Sequence, residues 1–139
     1  MADTVPTIVI ATRGRFGEEL LASAELIIGP LDGVRTASLL PGEDPGSFGN
    51  KLRAALEGAE GPALILTDLF GGTPSNVAAA LGARDGHVVV SGVNLSLLIE
   101  VDATREELLQ DPQVLEGVLA AGKNGTQNIS ALMTERKGQ

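Results

Sequence analysis

The chain has 139 residues, a formal net charge of −8, one histidine and no cysteine. At the ~100–200 residues of a typical domain, this length predicts a single domain over residues 1–139. The cysteine and histidine counts exclude disulfides, thiolate clusters and multi-histidine metal centres, so we expect no metal and no cofactor. Ten basic residues against 18 acidic ones argue against nucleic acid, whose phosphates require a basic surface.

The amino-terminal segment predicts a cytoplasmic protein. It begins Met1-Ala2-Asp3, which is acidic where a signal peptide is basic, and the apolar run that follows has only the length of a strand. No stretch approaches the ~18 uninterrupted apolar residues of a membrane-spanning helix. We therefore expect no insertion into a membrane.

Four short runs of β-branched and aliphatic residues predict strands, and segments with apolar residues at helical spacing separate them. The predicted strands are 7–12, 34–40, 63–69 and 87–91. The predicted helices are 18–28, 48–56, 74–83 and a later one that starts at 111–112. This alternation predicts an α/β fold with a doubly wound, mostly parallel four-stranded sheet flanked by helices.

Two further signals lie near the end of the chain. Residues 104–107 have the spacing of a helix capping box. Residues 126–133 predict a last short strand, because apolar Ile129, Ala131 and Met133 occur at every second position. The exposed edge of such a strand tends to be covered, which favours a dimer.

Parallel sheets bind ligands beyond the carboxyl ends of their strands, the place that we call the carboxyl end of the sheet. Three predicted loops lie there: 13–17, 68–76 and 92–97. These loops are where we expect a site.

The loop after the third strand carries the clearest signal. Asp68 ends a buried strand, and Gly71 and Gly72 permit backbone conformations that other residues avoid. We expect Thr73 to cap the next helix and Pro74 to be its first residue. The free amides of that helix start favour an anion such as a phosphoryl group, although the same residues would also serve a plain turn and cap.

The other two loops contribute Arg13, Arg15 and Asn94. Arg13 directly follows the first strand and is the better candidate for contact with the site, whereas Arg15 is equally consistent with a solvated surface residue. Asn94 fits a helix cap as well as a ligand role. His87 begins the fourth strand and therefore lies more than ~10 Å from these loops, which favours a surface turn.

Four motifs carry a family resemblance: IVIATRGRF, LPGED, LTDLFGGTPSN and SGVNLSLLIE, at residues 8–16, 40–44, 66–76 and 91–100. Together they resemble the enzyme IIA component of the mannose family of the bacterial sugar phosphotransferase system. The resemblance covers nearly the whole chain.

This resemblance implies a cytoplasmic α/β phosphocarrier, usually a homodimer in which a C-terminal strand crosses to the partner's sheet. A first-loop histidine would take a phosphoryl group from the carrier HPr and pass it to a IIB component. By the same resemblance, Asp68 would orient that histidine, and Thr73 and nearby amides would surround the phosphoryl group. Our candidate anion-binding residues are accordingly Gly71, Gly72, Thr73 and Asn94.

At three positions the sequence departs from the family pattern. Arg13 stands where the family has its acceptor histidine, Ser75 where an aromatic residue commonly follows the proline, and Ser96 where a proline is common. A guanidinium stays protonated and has no free lone pair, so Arg13 cannot be the nucleophile. His87 cannot replace it from the opposite end of the sheet.

Three functional hypotheses follow. The first is a regulatory or binding version of the domain, in which Arg13 pairs with Asp68 or holds an anion. The second is a working phosphocarrier in its native form, with Arg13 an engineered or aberrant substitution. The third is an anion-binding α/β module unrelated to sugar transport.

Overall fold

Four parallel strands form the sheet of the computed structural model, which describes residues 5–137. They are β1 (Ile8–Arg13), β2 (Val34–Leu39), β3 (Leu64–Thr67) and β4 (Val88–Ser91). Their order across the sheet is β2-β1-β3-β4, and every neighbouring pair is parallel. The predicted doubly wound parallel sheet is therefore confirmed.

Helices cover both faces of this sheet. They are α1 (Phe16–Ile28), α2 (Pro45–Ala55), α3 (Thr73–Asp85), α4 (Leu95–Ala103), α5 (Pro112–Asn124) and α6 (Ile129–Lys137). Core packing places α1, α4 and α5 on one face and α2 and α3 on the other. Within residues 5–137, none of these helices combines the length and apolarity that crossing a membrane requires.

The two central strands explain the apolar runs of the sequence. Alternate side chains of β1 and β3 point to opposite faces, so both faces of these strands are buried. Ile8, Ile10, Leu64 and Leu66 pack against the α1, α4 and α5 side. Val9, Ala11 and Ile65 pack against the α2 and α3 side, together with the fully buried Phe48 of α2. The core thus holds the carboxyl ends of β1 and β3 in a fixed relation.

The C-terminal segment is a helix, α6, so the predicted strand over 126–133 is wrong. Exchange of this segment between two copies of the chain stays a prediction. Asn128 Oδ1 accepts a hydrogen bond from the Ala131 amide (3.0 Å) at the start of α6. Leu132, Met133 and their neighbours are good helix formers. Apolar residues 129, 132 and 133 also fit helical spacing, which the every-second-residue pattern concealed.

The capping-box prediction at 104–107 is also wrong. Thr104 is the C-cap of α4, and its hydroxyl donates to the Glu100 carbonyl oxygen (2.8 Å). The Glu107 amide, which the hydroxyl would accept from in a capping box, donates to the Thr104 carbonyl oxygen (3.0 Å) instead. Turns follow, and α5 begins only at Pro112, where Asp111 caps it by accepting from the Gln113 amide (2.9 Å). The spacing of residues 104–107 alone could not show whether Thr104 ends one helix or begins the next.

Candidate functional site

The strand order places a crevice between the carboxyl ends of β1 and β3. β2 lies on one side of β1, whereas β3 and β4 lie on the other. The crevice between β1 and β3 is therefore the topological switch point, which is where doubly wound sheets bind ligands. Ala11 is opposite Thr67 in the β1–β3 register. Arg13 comes two residues after Ala11 and Asp68 comes one residue after Thr67. Both therefore lie at the carboxyl end of the sheet.

Asp68 and Arg13 are in direct contact. Asp68 Oδ2 accepts a hydrogen bond from the Arg13 backbone amide (2.9 Å) and lies 3.6 Å from Arg13 Nη1. Asp68 Oδ1 accepts from the Leu69 amide (2.9 Å). The carboxylate is 14% exposed and the arginine side chain 45% exposed. Asp68 is thus a fixed, shielded group, and the guanidinium is held beside it with one side open to solvent.

Gly72 gives the guanidinium its position. A β-carbon at Gly72 would overlap Arg13 Nη2 and would lie 2.7 Å from Nη1 and 2.8 Å from Cζ. Gly72 has an ordinary φ of −86°, so its lack of a side chain matters for the space that it leaves to the guanidinium, and a β-carbon there would displace this flexible end of Arg13. Gly71 is different: its φ of +84° is favoured by glycine, but nothing lies within 4 Å of a β-carbon there.

The start of α3 faces the same crevice. Gly72 is its N-cap residue and Thr73 its first residue, so the predicted cap at Thr73 and first residue at Pro74 are each one position late. A glycine cap supplies no side-chain acceptor, and the first turn holds no acidic residue. The positive end of the helix dipole and the guanidinium therefore lie together, opposed by Asp68. This arrangement favours an anion.

Ser75 is a structural residue of the site whose role sequence reasoning missed. Its hydroxyl donates to the Leu69 carbonyl oxygen (2.5 Å), so Thr67 supplies the proton of the 2.6 Å bond between the Thr67 and Ser75 hydroxyls. Ser75 is 7% exposed. This buried relay ties the first turn of α3 to the end of β3 and to the turn that carries Asp68. A serine in a helix's first turn was the available signal.

Asn94 and His87 have contacts within the fold. Asn94 Oδ1 accepts from the Leu97 amide (2.9 Å), which confirms the helix-cap alternative, and Nδ2 donates to the Gly122 carbonyl oxygen (3.1 Å). His87 Nδ1 accepts from the Ala63 amide (2.9 Å). Because Ala63 precedes β3 and His87 precedes β4, the histidine lies at the amino end of the sheet, as predicted. It is half-buried rather than a simple surface turn.

Beside the site, the loop after β3 exposes large apolar side chains. Phe70 is 87% exposed and Leu69 is 58% exposed. A cavity of about 170 Å³ lies next to them, with Phe70, Ser75, Asn76 and Ser91 among its lining residues. Exposed aromatic groups next to a polar site are typical of a surface that meets another protein.

The loop after β2 contributes a charge that is used within the fold. Glu43 accepts hydrogen bonds from Lys51 Nζ (2.5 Å), the Leu40 amide (2.7 Å) and the Ser47 hydroxyl (2.9 Å). These donors, Lys51 above all, lower the pKa of Glu43 to about 2. Among residues 5–137, no three histidine, aspartate or glutamate side chains are grouped as metal ligands.

These features define an α/β protein with an arginine–carboxylate pair at the switch point of its sheet, beside a helix start that has no side-chain cap. A family model described as "EIIA-man: PTS system fructose IIA component" matches residues 7–118. The chain therefore belongs to the mannose family of phosphotransferase-system IIA components, and the hypothesis of an unrelated anion-binding module is wrong.

Individual relatives agree with this assignment. The chain is 33% identical over 128 residues to the PTS system mannose-specific EIIAB component of Escherichia coli (strain K12), which covers 90% of this chain. It spans 39%, about two fifths, of the length of that relative. It is 34% identical over 105 residues to the fructose-specific EIIA component of Bacillus subtilis (strain 168), covering 73% of this chain and 72% of the relative.

A solved structure also matches the fold. The crystal structure of the phosphotransferase system component EIIA from Streptococcus agalactiae superposes with a TM-score of 0.82 at 30% sequence identity. The match covers 90% of this chain and 98% of that chain. The four-stranded sheet and its flanking helices are thus the architecture of solved IIA proteins.

Proposed function

We propose that this chain is a cytoplasmic IIA-like component of a sugar phosphotransferase system that binds a phosphoryl group without carrying it. The observation that carries the proposal is the contact between Arg13 and Asp68. By the family resemblance of the surrounding motif, Arg13 would occupy the position of the acceptor histidine. A carboxylate that would orient an imidazole instead faces a guanidinium. The site keeps the means of attracting an anion and lacks the means of forming a bond to it.

The chemistry of the side chains supports this reading. A phosphohistidine forms when a neutral imidazole nitrogen attacks phosphorus, and a guanidinium offers no lone pair for that step. The histidine of this chain, His87, uses Nδ1 to accept from the backbone at the other end of the sheet. Arg13, Gly72 and Thr73 would instead surround a bound phosphoryl oxygen with donors. Gly71 would shape the turn that presents them, and Asn94 would keep its capping role.

Family membership supports HPr-like and IIB-like proteins as partners, and a homodimer as the assembly. The exposed Phe70 and Leu69 beside the crevice would form part of the docking surface. A phosphorylated partner would bring its own phosphohistidine to Arg13. In this proposal the chain reads the phosphorylation state of a partner rather than passing the phosphoryl group on.

A second candidate function is a working phosphocarrier whose native form has histidine at position 13. The intact Asp68, Gly71, Gly72 and Thr73 favour it, because an idle site is free to lose such residues. Under this alternative, Arg13 is a substitution in an otherwise competent site.

The test is phosphorylation followed by intact mass measurement. The chain is incubated with phosphoenolpyruvate and the general phosphate carriers, and its mass is compared with those of the variants Arg13→His and Arg13→Gln. We expect no acid-labile gain of ~80 Da for the unsubstituted chain or for Arg13→Gln, and a gain for Arg13→His. A gain by the unsubstituted chain would contradict the proposal. A gain by Arg13→His alone would show that only the nucleophile is missing.

A further inference from the structure

We propose that the free lateral edge of β2 binds an extended, acidic segment of a partner protein as an added strand. The feature is separate from the Arg13–Asp68 site. It does not depend on whether that site binds a phosphoryl group.

The backbone of β2 directs hydrogen-bonding groups outward along this edge. β2 is the first strand in the sheet order and pairs only with β1. The Ile8 amide donates to Gly33 O and the Gly14 amide to Leu39 O, so by parallel-ladder alternation the odd-numbered residues of β2 face β1. Lys51 Nζ donates to Ser38 O (3.0 Å), which shows directly that the even-numbered carbonyl points away from β1. The amide and carbonyl of Thr36 share that outward direction.

This edge forms the floor of a shallow slot that is open to solvent. The slot has a volume of about 520 Å³. Arg15 and Glu18, at the start of α1, form one wall, and Lys51, Ala54 and Ala55 of α2 form the other. Thr36 and Ser38 lie between the walls. A single extended segment placed there would complete the hydrogen bonds of β2 and be contacted on both faces, which is how edge strands recruit peptides.

The charge of the slot indicates what kind of segment it accepts. Three of the ten basic residues of the chain line it, Arg15, Arg35 and Lys51, against one of the 18 acidic residues, Glu18. Lys51 is paired with Glu43 (2.5 Å), so Arg15 and Arg35 carry the positive charge that is available to an incoming segment. Glu18 is engaged by the Ser38 hydroxyl (2.7 Å). In a chain of net charge −8, this local excess of positive charge favours carboxylates on the incoming strand.

The same charges argue against a second copy of the chain as the occupant. Two β2 edges related by a two-fold axis would bring Arg15 and Arg35 of one copy towards the same two residues of the other. Like charges across an interface are unfavourable, and neither copy offers a matching group of carboxylates in this slot. An acidic segment of another protein has no such cost.

The slot also leads to the site described above. Leu39, the last residue of β2, is paired in register with Arg13. A segment lying along β2 would therefore end beside the carboxyl end of β1. Docking there would tether a partner next to the crevice without blocking it.

The test uses the full chain, labelled with ¹⁵N, and a blocked octapeptide of alternating glutamate and valine. We expect saturable binding with a dissociation constant below about 1 mM, amide shifts centred on residues 34–38, and slower hydrogen exchange of the Thr36 amide. A peptide of the same sequence with every second backbone nitrogen methylated should bind at least about tenfold more weakly, because it cannot complete the ladder. An alternating lysine–valine peptide should not saturate.

A protein variant gives a matched control. Thr36→Pro removes one outward amide and no bond to β1, which an edge strand tolerates, and it should weaken binding by about tenfold. Thr36→Val keeps the backbone and should bind within about twofold of the unsubstituted chain. Equal binding of the methylated and unmethylated peptides would overturn the proposal. So would amide shifts that lie elsewhere, or a peptide-free chain that is dimeric with Thr36 already protected.

Discussion

The two ends of the sheet use the same kinds of residue in opposite ways. At the amino end, Arg105 donates from Nε and Nη2 to the Pro6 carbonyl oxygen (3.2 Å each) and from Nη1 to that of Asp32. His87 accepts from the Ala63 amide. At the carboxyl end, Arg13 contacts Asp68 but keeps 45% of its side chain exposed beside an uncapped helix start. At the amino end, polar side chains that bond to backbone atoms hold the fold together. At the carboxyl end, the exposed part of Arg13 remains available to a ligand.

Arg105 should give the largest effect on stability. Burial lowers the pKa of this guanidinium, against the opposing influence of Asp102 and Asp32. Arg105→Ala leaves the Pro6 and Asp32 carbonyls without their donor, and we expect a loss of about 1–3 kcal/mol in the free energy of unfolding. Urea denaturation measures it.

A matched control for Arg105 lies on α3. Arg84 is 68% exposed and pairs only with its neighbour Asp85 among the described residues, so Arg84→Ala should change the free energy of unfolding by less than about 0.5 kcal/mol. If both arginine variants lost the same stability, the amino end would not be the scaffold described here.

His87 should give the next largest effect. His87→Ala removes the acceptor of the buried Ala63 amide, which we expect to cost about 1–2 kcal/mol in denaturation experiments. Asparagine can present an oxygen near the place of Nδ1, so His87→Asn should recover much of that loss. If adding His87→Ala abolished the phosphoryl-group labelling expected of Arg13→His, the histidine would take part in the chemistry and the comparison would break.

Substitutions of Gly72 and Gly71 should affect different properties at the carboxyl end of the sheet: phosphate affinity for Gly72 and the free energy of unfolding for Gly71. Gly72→Ala should displace the Arg13 guanidinium and weaken phosphate binding by about tenfold, while changing stability little, because its φ suits alanine. Gly71→Ala meets no neighbour but is strained at φ +84°, so it should cost about 1 kcal/mol of stability. Calorimetry and denaturation on both variants check the pair. Equal losses of phosphate affinity would contradict the role of Gly72.

Glu43 should give the smallest effect, visible only in acid. Because its folded-state pKa of about 2 lies below the ordinary 4.5, its contribution to stability is complete above about pH 4.5 and is lost as the pH falls towards 2. Glu43→Gln should therefore flatten the decline of the unfolding free energy over this range. An unchanged decline would mean that the Lys51 and Leu40 contacts do not persist in solution.

The sequence predicted the parts of the molecule that depend on long apolar patterns. β1 and β3 are buried on both faces and appear in the sequence as continuous aliphatic runs. Arg13 at the end of β1 and Asp68 directly after β3 therefore meet at one place. α6 was misread because its apolar residues, spaced for a helix, also occur at every second position. The structural roles of Ser75 and Arg105 could not be predicted because they depend on the backbone carbonyls of Leu69, Pro6 and Asp32, and for Ser75 also on the Thr67 hydroxyl, which folding alone brings within reach.

The most direct test of the account is a titration of the ¹⁵N-labelled chain with inorganic phosphate. We expect saturating shifts at the Gly72, Thr73 and Ser75 amides and at Arg13 Nε, with none at Ala63 or Arg105. In Arg13→Gln these shifts should largely disappear. Shifts of equal size at the two ends of the sheet, or no saturating shift at the carboxyl end, would contradict the claim that Arg13 has turned the family's transfer site into a binding site.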